Sequence, residues 1–225
     1  MKIESFPRKL FLFRNNLCMF AQTQNELHNM KHMSILAVSL LALVACTPEK
    51  KQEADYSQYV NPMIGTDFTG NTYPGAQVPF GMVQLSPDNG LPGWDRISGY
   101  FYPDTTIAGF SHTHLSGTGA GDLYDISFMP VTRPYKEAPA PLGIYSTFSH
   151  NDEAASAGYY RVLLKDYNIN VELTATERFG IQRYTFPEAE ASVFLNLKKA
   201  MNWDFTLDSK IEVVDSTTIR GYRLS

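Results

Sequence analysis

The chain has 225 residues, of which 44% are hydrophobic and 13% aromatic. That composition is sufficient for a packed core and excludes a disordered chain. Five basic and two acidic residues precede Cys46, which leaves 14 basic against 21 acidic residues after it. The acidic balance argues against nucleic acid or an anionic membrane surface as a partner.

The N-terminal region predicts a targeting signal. Residues 30–33 form a short, weakly basic start, Ile35 to Ala45 form an apolar run of 11 residues, and small residues precede Cys46. A run of that length is too short to cross a bilayer as a helix. The pattern resembles a bacterial lipoprotein signal, in which cleavage leaves Cys46 as a lipid-carrying N-terminus. The alternative is an ordinary secretory signal with an incidental cysteine.

These features predict four segments along the chain. Residues 1–29 fit neither a signal nor a domain, and Met30 follows them, so we expect a start codon placed too early. Residues 30–45 are the predicted lipoprotein signal peptide, and residues 46–57 are a lipidated tether rich in Lys, Glu and Gln. Residues 58–225 form one β-rich domain without cysteine, so we expect no disulfide in it.

From Val78 onward, short β-rich runs alternate with Gly, Pro, Asn and Asp. We count about eleven such runs. In one of them Val171, Leu173 and Ala175 alternate with polar residues, which provides one face for a core. Short β-rich runs separated by turn-forming residues are typical of an antiparallel sandwich or barrel, and we predict an all-β antiparallel β-sandwich. The single helical segment that we predict is one turn over residues 152–157.

A tryptophan in a glycine-flanked loop is the first candidate site residue. The flat apolar face of Trp94 suits the C–H face of a sugar, and the adjacent Asp95 and Arg96 can hydrogen-bond to hydroxyls. The alternative is a core tryptophan beside a surface ion pair, because tryptophan is highly buried on average.

A second candidate is the H-x-H pair of His112 and His114, which Ser116 follows in a glycine-rich stretch. On an extended chain both imidazoles point to one side, so they could bind zinc with Asp122 or Asp125, or hydrogen-bond to a ligand. A buried structural role is the alternative. The glycines that follow lack the Lys-Ser/Thr of a phosphate loop, and Ser116 lies in no nucleophile elbow.

The order and spacing of three stretches resemble the N-terminal domain of glycoside hydrolase family 92. They are Y-V-N-P-M-I-G-T from Tyr59, Y-P-G-A-Q-V-P-F-G-M-V-Q-L-S-P-D from Tyr73, and G-F-S-H-T-H-L-S-G-T-G from Gly109. The likeness runs from about Tyr59 to the end of the chain and is densest before Pro134.

The resemblance implies an exported, inverting exo-α-mannosidase with bound calcium that trims mannose from glycans, commonly at α-1,2 linkages. In that family an N-terminal β-sandwich packs against a helical (α/α)₆ barrel, with the active site between them. The catalytic Glu and Asp and the calcium ligands belong to the barrel. The resemblance therefore implies neither a catalytic residue nor a metal ligand in this chain, which we expect to be truncated.

The resemblance also implies which residues line one wall of the sugar pocket. Trp94 is the first candidate for contact with the terminal mannose, and Asp95, His112, His114 and Ser116 are secondary candidates. The expected partners are a mannose-containing glycan and the absent barrel, with membrane attachment only through the lipid anchor at the cell envelope. A self-standing surface carbohydrate-binding sandwich without catalysis is the alternative, and an H-x-H zinc hydrolase is a third possibility.

Overall fold

The structure, a computed structural model, describes residues 54–117, 123–199 and 204–225. The predicted signal peptide, Cys46 and Asp122 lie outside the described residues. Within these ranges the helical elements are three short 3₁₀ turns at Ser57–Tyr59, Trp94–Arg96 and His150–Asp152. None of the helices described is long and apolar enough to cross a membrane.

The regular structure of the described ranges is almost entirely β. In chain order the strands are β1 Ala76–Gln77, β2 Gln84–Asp88, β3 Thr106–Ile107, β4 Gly109–Ser111, β5 Ser127–Thr132, β6 Glu137–Ala138, β7 Gly143–Ile144, β8 Ser146–Thr147, β9 Glu153–Ser156, β10 Tyr159–Leu164, β11 Ile169–Ala175, β12 Gly180–Thr185, β13 Ala191–Asn196, β14 Asp208–Val213 and β15 Ile219–Leu224.

Two antiparallel sheets form a sandwich. The first has the strand order β1-β2-β4-β5-β13, and the second has the order β12-β11-β10-β9. Leu85 and Phe110 of the first sheet and Val162 and Val171 of the second are buried in one core. Burying both inner faces removes apolar surface from water, which is the main stabilising contribution to this architecture. The predicted all-β, antiparallel fold is confirmed.

Strand β11 shows why its sequence forms a half-buried strand. Ile169, Val171 and Leu173 are buried, whereas the alternate positions Asn170 and Thr174 are exposed. The β10–β11 hairpin places Val162 opposite Val171. A shift of one residue would turn the apolar set toward solvent, so the alternating pattern specifies this register.

The predicted helical turn over residues 152–157 is wrong. Glu153–Ser156 form β9, which pairs with β10 and places Ala154 opposite Arg161 and Ala155 opposite Tyr160. Alanine favours helix by only tenths of a kcal/mol over most residues. Sheet hydrogen bonds and burial outweigh that small preference, and the helical turn forms just before it, at His150–Asp152.

Strands β14 and β15 form a separate two-stranded hairpin. Arg223 anchors this hairpin, since its buried guanidinium pairs with Asp125 and with Asp204. Both hairpin faces keep apolar side chains exposed, including Val213 and Leu224.

Candidate functional site

The loop after β2 presents Trp94 to solvent. Its side chain is 60% exposed, so the interpretation of Trp94 as a core residue is wrong. Two hydrogen bonds hold the 3₁₀ turn Trp94–Arg96 in place, because Arg96 donates to both carboxylate oxygens of Asp104 at 2.6 and 2.5 Å. The same guanidinium lies 4.8 Å from the ring centre of Phe101. An indole on a braced loop is available to a ligand at low entropic cost.

The backbone that leads into this loop is equally constrained. Buried Asn89 donates through Nδ2 to the Thr106 carbonyl at 2.7 Å and accepts from the Phe101 amide at 2.5 Å. Its own amide donates to the Gly99 carbonyl at 2.8 Å. These bonds tie both ends of the Trp94 loop to the sandwich.

His114 is buried in an ionic cluster. Its Nδ1 lies 2.7 Å from the Gln84 carbonyl, and its Nε2 lies 2.9 Å from Asp88 Oδ1 and 3.1 Å from Ser111 Oγ. Because a carbonyl and a carboxylate both accept, both ring nitrogens are placed to donate. The imidazole therefore has a structural partner on each side.

Asp88 is the centre of this cluster. Its Oδ2 lies 3.1 Å from Lys199 Nζ, an ion pair whose angles fall outside hydrogen-bond geometry. Burial by itself would raise the pKa of the Asp88 carboxyl, but the charges of Lys199 and His114 outweigh burial and hold that pKa below its ordinary value. The cluster thus joins β2, the H-x-H stretch and the segment that follows β13.

His112 has different partners from His114. Its Nδ1 lies 2.8 Å from the Ile126 carbonyl, its ring packs edge-on against Phe128, and burial lowers its pKa. Strand β4 ends at Ser111, so the pair does not share one strand face. Asp125 accepts from Thr113 and pairs with Arg223. Across residues 54–117, 123–199 and 204–225, no group of three or more His, Cys, Asp or Glu could hold a metal.

Strained backbone supports the segment that carries Ser116. Leu123, Tyr124 and Ile126 all have positive φ, at 78°, 64° and 57°. Such residues cost about 1–3 kcal/mol each and tend to cluster at functional sites. The Tyr124 amide donates to the Thr113 carbonyl at 3.0 Å, and the Gly117 amide donates to the Asn71 carbonyl at 2.6 Å. Both sides of this segment are therefore held in place.

A pocket of about 280 Å³ opens beside this segment. It brings together two of the predicted site residues, His114 and the exposed Ser116, whereas Trp94, Asp95 and His112 do not line it. Sequence reasoning missed nine further lining residues, among them Tyr73, Gln77, Phe80 and Gln84. The signal for them was the density of Pro and Gly around residues 74–81, which indicated a convoluted loop without identifying the side chains that face a ligand.

A larger cavity of about 880 Å³ lies between the β14–β15 hairpin and the first sheet. Its lining is mainly apolar, with Met129, Phe194, Leu195 and Ile211 among the contributors. Lys199 also lines it, but Asp88 already neutralises that ammonium group. We favour the smaller pocket because it contains two of the predicted site residues, His114 and Ser116, whereas the larger cavity contains none of them.

An exposed tryptophan on a constrained loop and a small pocket of amides and hydroxyls are groups that can contact a sugar, whereas the sandwich fold by itself names no function. The family profile of the glycosyl hydrolase family 92 N-terminal domain matches residues 59–225. The chain belongs to glycoside hydrolase family 92, of which it contains the N-terminal domain. The predicted family resemblance is confirmed.

Solved structures and a curated relative agree with this assignment. A family GH92 α-mannosidase from Bacteroides thetaiotaomicron, in complex with mannoimidazole, is 42% identical over 74% of this chain and 23% of its own, with a TM-score of 0.70. A GH92 inverting mannosidase from strain VPI-5482 of that species is 30% identical over 64% of this chain and 20% of its own, with a TM-score of 0.53. An uncharacterised secreted glycosidase from Arthroderma benhamiae is 26% identical over 72% of this chain and 21% of its own. The chain thus spans about a fifth of these relatives.

Proposed function

We propose that the chain is the N-terminal portion of an exported, calcium-dependent, inverting exo-α-mannosidase that acts on mannose-containing glycans. The observation that carries this proposal is the 42% identity to an α-mannosidase whose structure contains mannoimidazole. The similarity to a second enzyme named as an inverting mannosidase supports the stereochemical part. We also propose that the enzyme prefers α-1,2 linkages.

The role of this domain is to form one wall of the sugar pocket. Trp94 offers an exposed indole for the C–H face of the terminal mannose, and the adjacent Asp95 offers a carboxylate for its hydroxyls. Ser116 offers a hydroxyl to the glycan at the separate pocket of about 280 Å³. His112 and His114 already use ring nitrogens on the Ile126 and Gln84 carbonyls and on Asp88. We therefore assign the histidines to positioning the wall.

The catalytic carboxylates belong elsewhere in the complete protein. An inverting glycosidase needs two carboxyl groups roughly 6.5–9.5 Å apart with room for a water molecule. The most buried carboxylates of the described residues already have partners. Asp88 pairs with Lys199 and His114, and Glu153 accepts hydrogen bonds from the hydroxyls of Tyr100 and Tyr160. Among the described residues no group of three or more His, Cys, Asp or Glu could hold a metal, and we propose that the calcium ligands lie in the rest of the complete protein.

Export is supported by the apolar run before Cys46 and by the relative named as secreted. Lipid attachment at Cys46 at the cell envelope is part of the proposal. Metabolic labelling with a radioactive or alkynyl fatty acid tests it, because wild type should incorporate label and Cys46→Ala should not. Label in both would show that Cys46 is not the lipidated residue.

The activity is tested on the complete natural protein with α-1,2-mannobiose as substrate. We expect release of mannose with calcium present and loss of that release with a chelator. Trp94→Ala should lower kcat/KM by about 10- to 100-fold, since a contact with the reacting sugar ring is lost. Phe205→Ala, which also removes an exposed aromatic ring, is the control and should have no effect.

Each part of the proposal can fail separately. Mannoside binding without hydrolysis would favour the self-standing carbohydrate-binding domain. Hydrolysis that survives the chelator would remove calcium from the proposal. Equal activity of Trp94→Ala and wild type would remove Trp94 from the pocket wall.

A further inference from the structure

We propose that the 280 Å³ pocket beside Ser116 binds one uncharged sugar ring, with Phe80 as its apolar platform and Gln77 and Gln84 as its hydrogen-bonding pair. The inference rests on the proposed function for the identity of the sugar. It rests on the pocket itself for the chemical class of the ligand.

Phe80 is held at the rim of the pocket in an unusual state. Its side chain is exposed to 106% of its reference area, and its φ of 59° lies in the left-handed region. The backbone around it is nevertheless fixed, because the Gly81 amide donates to the Val78 carbonyl at 3.0 Å and the Met82 amide donates to the Glu177 carbonyl at 2.7 Å. A strained, anchored and fully exposed phenyl ring presents a flat apolar face to a ligand.

The two glutamines face the pocket with complementary groups. The Tyr73 hydroxyl donates to Gln77 Oε1 at 2.7 Å, which leaves the Gln77 amide nitrogen to donate to a ligand. Gln84 Nε2 donates to the Gly81 carbonyl at 2.7 Å, which leaves Gln84 Oε1 to accept. A donor and an acceptor beside the Ser116 hydroxyl match vicinal hydroxyl groups, each of which can both donate and accept.

An uncharged ligand is favoured because the described lining of the pocket offers no free counter-charge. Within the described part of the chain, no Lys, Arg, Asp or Glu lines it. His114 does line it, but its two nitrogens are engaged by the Gln84 carbonyl and by Asp88. Burying a phosphate or carboxylate without a partner is costly. A volume of 280 Å³ lies just below the usual range of pockets for drug-sized ligands and suits a single ring.

The test is direct binding of methyl α-D-mannopyranoside to the complete natural protein, measured by titration calorimetry and by protection of Phe80 from hydroxyl-radical labelling. We expect protection of Phe80 and a Kd about tenfold higher in Phe80→Ala. Phe68→Ala is the matched control, because Phe68 is also a phenylalanine at positive φ, is 80% exposed and does not line the pocket. Mannose 6-phosphate should bind more weakly than the neutral glycoside.

The outcomes separate this inference from the proposed function. Unprotected Phe80, an unchanged Kd in Phe80→Ala, or equal weakening in Phe68→Ala would each overturn the inference, even where the protein releases mannose from mannobiose. Preferred binding of mannose 6-phosphate would overturn the uncharged class of ligand. A selective Phe80→Ala effect in a protein that hydrolyses no mannoside would uphold the pocket and contradict the proposed enzyme.

Discussion

At the scale of single residues, buried charges that meet across the chain organise the site. Asp88 lies between Lys199 and the His114 imidazole, and all three side chains are nearly or fully shielded from water. A buried carboxylate is tolerated only when partners offset the cost of removing it from water. Asp88 is thus the residue on which the H-x-H stretch depends.

Asp88→Asn should therefore lower the free energy of unfolding by about 3–5 kcal/mol, because the Lys199 ammonium loses its partner in a buried site. Urea unfolding at pH 7 measures the effect. Glu190→Gln is the matched control, since Glu190 and Arg133 form an exposed pair, and its effect should stay within about 0.5 kcal/mol. Similar losses in the two variants would contradict the assigned role of Asp88.

The same variant makes a prediction about pH. The folded pKa of Asp88 lies below the unfolded value of about 3.9, so its contribution to stability is present above that pH and is lost as the pH falls through the folded pKa. Below about pH 4, wild type should lose stability more steeply than Asp88→Asn. Parallel curves of unfolding free energy against pH would refute this.

Gly99 lies where a side chain would be strained and would contact the Asp88 cluster. Its φ is +88°, and a Cβ there would lie 2.7 Å from Asp88 Oδ1 and 2.7 Å from Tyr124 Cε1. Gly99→Ala should cost about 2–4 kcal/mol, from backbone strain plus overpacking. Gly143→Ala isolates the strain, because Gly143 has a φ of +66° with nothing within 4 Å of a Cβ, and should cost about 1 kcal/mol. Thermal unfolding of both variants decides whether the contact with the Asp88 cluster matters.

At the scale of elements, one arginine couples the last hairpin to the candidate site. Arg223 on β15 is 2% exposed, donates to Thr206 Oγ1 at 3.0 Å, and pairs with Asp204 at 2.6 Å and with Asp125. Asp125 in turn accepts from the Thr113 hydroxyl. The hairpin thereby braces the base of the segment that carries Ser116.

Arg223→Ala should release the hairpin, since it leaves Asp125 and Asp204 without their buried cation, at a cost of about 3–5 kcal/mol. Hydrogen exchange of the β14 and β15 amides should accelerate, while the β10–β11 amides keep more of their protection. Arg220→Ala on the same strand breaks only an exposed pair with Glu212 and should leave exchange unchanged. Equal exchange in both variants would show that Arg223 does not hold the hairpin.

At the scale of the whole molecule, the sandwich leaves apolar residues uncovered outside its core. Phe179 is 71% exposed and Ile181 is 53% exposed at the start of β12, and Val213 is exposed on β14. Neighbouring exposed apolar side chains such as Phe179 and Ile181 usually mark an interaction surface when they form a contiguous patch. The chain spans 20–23% of the length of the solved relatives. Under the proposed function, we expect the remainder of such a protein to cover these apolar side chains.

Hydroxyl-radical footprinting tests this cover. Phe179 should be labelled strongly in residues 46–225 expressed alone and several-fold less in the complete natural protein. Tyr160, which is fully buried here, should stay unlabelled in both and serves as the control. Equal labelling of Phe179 in the two samples would show that the rest of the protein does not cover β12.

Local features of the sequence predicted the family and the all-β class. Alternation in residues 170–175 indicated a half-buried strand, and β11 has that pattern of burial. The order of three motifs indicated the family, and the family profile matches residues 59–225. The same local reasoning was wrong for residues 152–157, where pairing with β10 outweighs the preference of alanine for helix.

Which groups meet was decided only by the tertiary structure. Asp125 and Arg223 are 98 residues apart in the sequence. Asp88 pairs with Lys199 in the segment after β13, so no sequence periodicity predicts either contact. The sequence alone determined that His112, His114, Ser116 and Trp94 were candidates, because their residue types carry the relevant chemistry. Folding decided their surroundings, since it buried His114 against Asp88, placed Ser116 at a pocket with Phe80, and left Trp94 in solvent.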